Sequence, residues 1–335
     1  MNISSINISE IEGFLFGSAE DEAGATGCSV VVCPGGAVAG VDVRGGGPAT
    51  RETDLLSPER RIERVHAVVL SGGSAFGLDA ASGVVAYLES KGIGYETLVA
   101  NVPIVCGASL FDLLVGDPAA RPDKDMGRRA CEEAFAGAPP REGNCGAGTG
   151  ATVGKYLGPA RMMKSGLGFA AVRVGDVKVG AVAAVNAIGD VRDPDTGELV
   201  AGMLSEGGGA IVGASDALYA AIEQGRDVLT QGGPGTNAGG VSENTTLLCV
   251  VTNAIMTKAQ ASRMATLAHD GMARAVRPVH TSADGDAAFA LASCVARADA
   301  DAVSCLAADM AAAAIKRAAL AAKPAYGLKA AEDFR

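Results

Sequence analysis

Asn244-Thr245-Thr246 is the place in this chain where residue type and context suggest covalent chemistry. A glycine-rich stretch, QGGPGTNAGG at 231–240, runs into the apolar, β-branched segment TTLLCVVTNA at 245–254, which reads as a buried strand. A tether leading into a fixed strand that begins with threonine is the arrangement self-cleavage needs. The Thr245 hydroxyl would attack the Asn244 carbonyl, the ester would hydrolyse, and a new α-amino group would appear on the nucleophile itself. Such an amine, with a pKa of about 7.7–8.0, is a better base near neutrality than lysine and can take the threonine proton without a histidine. The competing reading of the triplet alone is an ordinary turn or strand start.

Other chemistries fit less well. The three histidines are scattered, and the eight cysteines (28, 33, 106, 131, 145, 249, 294 and 305) form no CxxC pair, so they read as reduced core residues rather than metal or redox ligands. No metal or organic cofactor is expected. GNCGAGTGATVG at 143–154 suggests phosphate binding only superficially. Gly154-Lys155-Tyr156 does not complete a P-loop, because no hydroxyl residue follows the lysine. The turn Ser71–Ser74 should open a helix, where it could hold an anion or be a tight connection. A net charge of −10 without a basic stripe argues against nucleic acid. The first residues lack a basic run before an apolar one, and no segment reaches about 18 uncharged apolar residues, so no membrane partner and a cytoplasmic location are expected.

The elements that must position these residues follow from pattern. CSVVVCPGGAVAGVDV at 28–43 reads as two short strands joined by a Pro-Gly-Gly turn, a hairpin. Residues 66–92 read as strand, glycine turn and helix, and 124–136 as a second helix. Residues 166–188 read as a hairpin turning at Gly175-Asp176, which places Asn186 at a strand end. Beyond an irregular connector at 191–243 with one helix near 214–224, helices are expected near 256–275 and 299–322. The 46 glycines belong in turns and close contacts of an α/β protein rather than in helix interiors.

Several blocks, in order, resemble one family: RGGGPATRETDLL, SGGSAFGLDAASGVVAYLE, VPIVCGASLFDLLVGD, CGAGTGATVGK, VNAIGDV, ENTTLLCVVTNA and TSADGDAAFA. Together they are similar to DmpA-type aminopeptidases, including β-peptidyl aminopeptidases and the endo-type nylon-oligomer hydrolases. The resemblance implies a four-layer αββα sandwich like that of N-terminal-nucleophile hydrolases but differently connected. It implies one catalytic domain over 1–335, cut into 1–244 and 245–335, acting as a homotetramer on a small peptide or amide. Asn before Thr looks more like the nylon-oligomer branch than the serine aminopeptidases.

The same resemblance implies roles. Asp284 and Asp286 stand where that branch has two carboxylates near its nucleophile, and would orient the ammonium or tune its pKa. Lys164 resembles a lysine beside the nucleophile, and Asn186 would donate to a tetrahedral oxyanion. Read as bare residues, the aspartates are a solvated turn, Lys164 a surface charge and Asn186 a structural amide. Arg51 and Glu52 read as a loop ion pair. Arg128 stands where many relatives carry tyrosine, which bears on charge preference at the pocket. An acyl transferase resembling ornithine acetyltransferases, or a binding protein that retains the fold without cleaving, would be the alternative functions.

Overall fold

Period-two alternation along the strands decides the layering in the computed structural model, which describes residues 3–225 and 244–335. The glycine-rich tether at 231–240 lies outside the described residues. The large sheet contains β1 (Ile3–Ser5), β2 (Leu15–Asp21), β3 (Thr26–Val43), β4 (Ala49–Arg51), β5 (Arg64–Ser71), β6 (Val105–Ser109), β7 (Leu167–Val174), β8 (Val177–Asn186), β9 (Thr245–Ala254) and β10 (Ala287–Ala296). Its order is β1-β7-β8-β9-β10-β3-β5-β6-β4, with β2 also on β3.

Along β9, Leu247, Cys249 and Val251 face one core, while Leu248 and Val250 face another. Along β5, Val68 and Leu70 enter that same first core, while Ala67 and Val69 face a third. Because successive side chains leave a strand on opposite faces, the core shared by β5 and β9 must lie between two sheet halves packed face to face. The other two cores lie under helices. α1 (Ala80–Ser90) and α2 (Lys124–Ala136) cover one outer face, and α4 (Lys258–Ala275) and α5 (Ala300–Ala321) cover the other. The result is the expected four-layer αββα arrangement. α3 (Ala214–Glu223) packs on a small separate cluster with Tyr156, Ile188 and Met203.

The ends of the helices follow local chemistry. Thr257 and Gln260 form a reciprocal capping box on α4, Asp299 caps α5 and Asp123 caps α2, each satisfying amides that the first turn leaves unbonded. Helix α2 stops at Gly137, whose φ of +71° suits glycine.

The structure corrects the expected hairpin at 28–43. That stretch lies within a single long strand, β3. Its first part pairs with β2 and β5 and its last part with β10, with a register shift against β5 between Val32 and Ala37. Pro34-Gly35-Gly36 marks the irregularity at which the strand passes from one sheet half to the other, rather than a reversal. The connector at 191–225 also holds more order than expected, since Asp190–Arg192 pairs with both Leu199–Ala201 and Val276–Arg277. Six cysteines are buried, but Cys294 is half-buried and Cys305 exposed, so the expectation of core cysteines holds for six of the eight. Among the described residues, no helix is long and apolar enough to cross a membrane.

Candidate active site

Two strand ends and one loop meet at Thr245. β8 and β9 are antiparallel, with Asn186 opposite Thr245. β9 and β10 are parallel, so the loop leading into β10, Thr281–Asp286, lies at the same end as the start of β9. Asn244 extends the pairing toward Asp284. Its N–H donates to the Ala283 carbonyl at 2.9 Å, and its carbonyl accepts the Gly285 N–H at 2.7 Å. The Thr245 hydroxyl donates to that same Asn244 carbonyl oxygen. A side chain at 285 would put its Cβ 2.6 Å from Thr245 Oγ1, so only glycine lets this loop lie against the hydroxyl.

The RGGGP segment holds the loop from the other side. Arg44 and Gly45 N–H groups donate to the Asp286 carbonyl, and Gly47 N–H donates to that of Asp284. A Cβ on Gly45 would stand 2.2 Å from the Asp286 nitrogen, which gives the glycine run its physical reason.

Both aspartates are buried here rather than solvated in a turn. Asp286 Oδ1 accepts the Thr246 N–H at 2.7 Å, and its Oδ2 contacts His280 Nδ1 at 2.7 Å. Asp284 Oδ2 accepts the Thr281 N–H at 2.9 Å and hydroxyl at 2.7 Å. Burial, and secondly the neighbouring Asp286, push the Asp284 carboxyl up to about 7.

The cation that meets Asn186 is Lys155. Gly154 and Lys155 pair by backbone with Gly189 and Ile188, just past the end of β8. That pairing brings Lys155 Nζ to 2.8 Å from Asn186 Oδ1 and 3.0 Å from its carbonyl. Burial lowers this lysine to about 7, with Asp284 and then Asp112 opposing the shift. Lys164 is equally buried and also lowered to about 7 by burial, but its ammonium donates to the carbonyls of Gly148, Ala151 and Ser165. It is neither a surface charge nor a hydrogen-bonding partner of Asn186, and it knits together the glycine-rich loop that carries Thr152 and Lys155. Asn186 also accepts the Thr152 N–H at 3.0 Å and donates through Nδ2 to the Phe111 carbonyl at 2.8 Å. Of the sequence candidates, Thr245, Asn186, Asp284 and Asp286 therefore converge. Lys155 is the residue that sequence reasoning passed over, although it ends the CGAGTGATVGK block.

Two further expectations change. Arg51 donates to Ser82 Oγ at 2.9 Å and, among the described residues, makes no ion pair with Glu52. Arg128 lies on the exposed side of α2, ion-paired with Asp125 and Glu132, because its helix position directs it to solvent. Among the described residues, no group of three or more His, Cys, Asp or Glu is placed to hold a metal ion.

The chain as a whole is similar to known proteins. The chain is 41% identical over 276 residues to an uncharacterized aminopeptidase of Mycobacterium leprae, covering 80% of this chain and 71% of that protein. It is 33% identical over 287 residues to the 6-aminohexanoate-oligomer endohydrolase of a Kocuria strain, covering 84% and 73%. Among solved structures, the L-aminopeptidase D-Ala-esterase/amidase of Ochrobactrum anthropi, described as a variant of the Ntn hydrolase fold, superposes with a TM-score of 0.65. That alignment covers 94% of this chain and 86% of the other at 18% identity, a likeness of fold. Peptidase family S58 matches residues 7–332, nearly the whole chain. The chain belongs to peptidase family S58 and is a hydrolase of peptide or amide bonds.

Proposed function

We propose that this hydrolase is made as a precursor that cuts its own Asn244–Thr245 bond and then uses Thr245 as the nucleophile for small peptides or oligoamides. One observation carries the reading: the Thr245 hydroxyl lies against the carbonyl oxygen of the preceding residue, while the Gly285 N–H holds that oxygen. In self-cleavage, Thr245 Oγ1 attacks the Asn244 carbonyl carbon, and the Gly285 N–H stabilises the developing oxyanion. The C–N bond breaks as the hydroxyl proton passes to the departing nitrogen. Water then hydrolyses the ester, leaving a carboxylate on Asn244 and a free amine on Thr245.

In the mature enzyme, that amine takes the Thr245 hydroxyl proton as Oγ1 attacks a substrate amide, and returns it to the leaving amine. Water releases the acyl group. Lys155, when charged, favours the neutral amine and supports Asn186 toward negative charge on the substrate oxygen. Asp284, protonated below about 7, adds a proton donor at the same end of the sheet. The names of the relatives, an aminopeptidase and a 6-aminohexanoate-oligomer endohydrolase, support amide substrates. Hydrolysis is favoured over acyl transfer by the family match.

Intact mass measurement under denaturing conditions tests the proposal. Wild type should separate into 1–244 and 245–335, and Thr245→Ala should stay whole. A wild type that remains one chain and hydrolyses no amide would sink the reading and favour a binding role.

A further inference from the structure

His280 and Asp286 meet beside Thr245 but take no part in the proposed bond cleavage. His280 has a φ of +55°, a left-handed conformation unusual outside glycine and asparagine. That conformation turns both its N–H and its ring nitrogen onto one oxygen. His280 N–H donates to Asp286 Oδ2 at 3.1 Å, and Nδ1 lies 2.7 Å from the same atom. The other oxygen, Oδ1, accepts the Thr246 N–H, the amide directly after the candidate nucleophile. Asp286 is thus a bridge between the histidine and the peptide that orients Thr245.

The two contacts on Oδ2 fix the orientation of the ring toward Asp286. Among the described residues the buried Nε2 has no hydrogen-bond partner, and the ring packs edge to face on that of His269 at 4.7 Å between centroids. His269 is fully buried, and its Nε2 lies 3.0 Å from the Asp42 carbonyl, which only accepts. A carboxylate held from Thr246 alone could rotate. Gripped from both sides, it has one orientation.

We infer that His280 is a positioning residue: acting through Asp286, it fixes the Thr246 N–H and so places the Thr245 hydroxyl for attack on the Asn244 carbonyl. This inference rests on the self-cleavage reading, and its test separates the two. Three chains are compared by the rate at which 1–244 and 245–335 accumulate: wild type, His280→Asn and His280→Gly. Asparagine tolerates the left-handed backbone and offers an amide donor near Nδ1, whereas glycine tolerates the backbone but offers none. A purely conformational role would let glycine rescue as well as asparagine. The positioning role predicts that His280→Gly cleaves at least about tenfold slower than wild type, while His280→Asn recovers most of the rate. Equal rates for the two variants overturn it.

Hydrogen exchange in a Thr245→Ala background, which cannot cleave, gives the second readout. Adding His280→Gly should speed exchange at Thr246 while Leu248 and Val250, deeper in β9, stay protected. Adding His280→Asn should not. Unchanged exchange at Thr246, or equal acceleration along the whole strand, overturns the inference. A wild type that fails to cleave counts against self-cleavage and leaves the exchange result to decide the role of His280.

Discussion

Lys155 and Asp284 are a buried base and a buried acid whose charged forms are both disfavoured by the same lack of water, and their pH behaviour follows with opposite signs. Asp284 is raised to about 7, above its usual value. Between about 4 and 7 the folded chain therefore holds a proton that the unfolded chain has lost, and stability falls as pH rises through that window, by at most about 1.4 kcal/mol per pH unit. Lys155 is lowered to about 7, so between about 7 and 10 the unfolded chain holds the extra proton and stability rises with pH. Asp284→Asn should flatten the acid limb relative to wild type and Lys155→Met the alkaline limb, as measured by denaturant midpoints from pH 4 to 10. Parallel curves for wild type and both variants would contradict this pairing of burial and charge. Lys155→Met should also slow self-cleavage or turnover by a factor of about 10 or more through the loss of its contact with Asn186. At this scale the sequence was partly legible. Thr245 and the Asp284/Asp286 pair stand in recognisable blocks, but seeing that Lys155 rather than Lys164 contacts Asn186 requires knowing that residues 154–155 pair with 188–189. That pairing is non-local, and no local spacing encodes it.

Elements with one dominant period were the legible ones. TTLLCVVTNA becomes β9 with the bounds read from its apolar, β-branched run, and the helix expected over 124–136 becomes α2. Of the strands that were missed or misread, two show different reasons. The Pro-Gly-Gly stretch in β3 has the local chemistry of a turn, and only its partners on either side show that it continues. AAFALASCVA, which becomes β10, has too many alanines to announce a strand, and its first six residues are buried, one face under α4. Glycines carry much of the helix-on-sheet packing in a way that pattern does not reveal. A Cβ on Gly168 of β7 would stand 2.3 Å from the Ala314 carbonyl oxygen and 2.4 Å from the Ala318 nitrogen, both backbone atoms of α5. Gly168→Val should destabilise the fold by about 2–4 kcal/mol in chemical denaturation, since the helix must move off the strand. Gly35→Ala, where among the described residues nothing lies within 4 Å of the added carbon, is the control. It should shift stability by less than about 0.5 kcal/mol. A tolerated valine at 168 would mean the helix sits farther from the sheet than described.

At the scale of the whole molecule, resemblance rather than periodicity made the four layers legible, because alternation tells which residues face a core but not how many cores a sheet separates. The layering decides what a cut before Thr245 would do. Residues 245–335 supply β9 and β10, which lie side by side between β8 and β3, together with α4 and α5. Removing them would leave β8 and β3 without the strands that join them, and would strip the outer core of Leu248, Val250, Met264 and Ile315. Strands embedded on both edges cannot separate without breaking ladder hydrogen bonds and exposing two apolar faces. The two pieces should therefore remain one body after cleavage, running together in native size exclusion and parting only when denatured, in a single cooperative transition. Residues 1–244 expressed alone should be aggregation-prone or unfolded, since the sheet would be interrupted at its centre and its new edges left bare. Native separation of the pieces without denaturant, or a well-folded 1–244 with sharp amide dispersion, would show that the central strands hold the layers together less than their position implies.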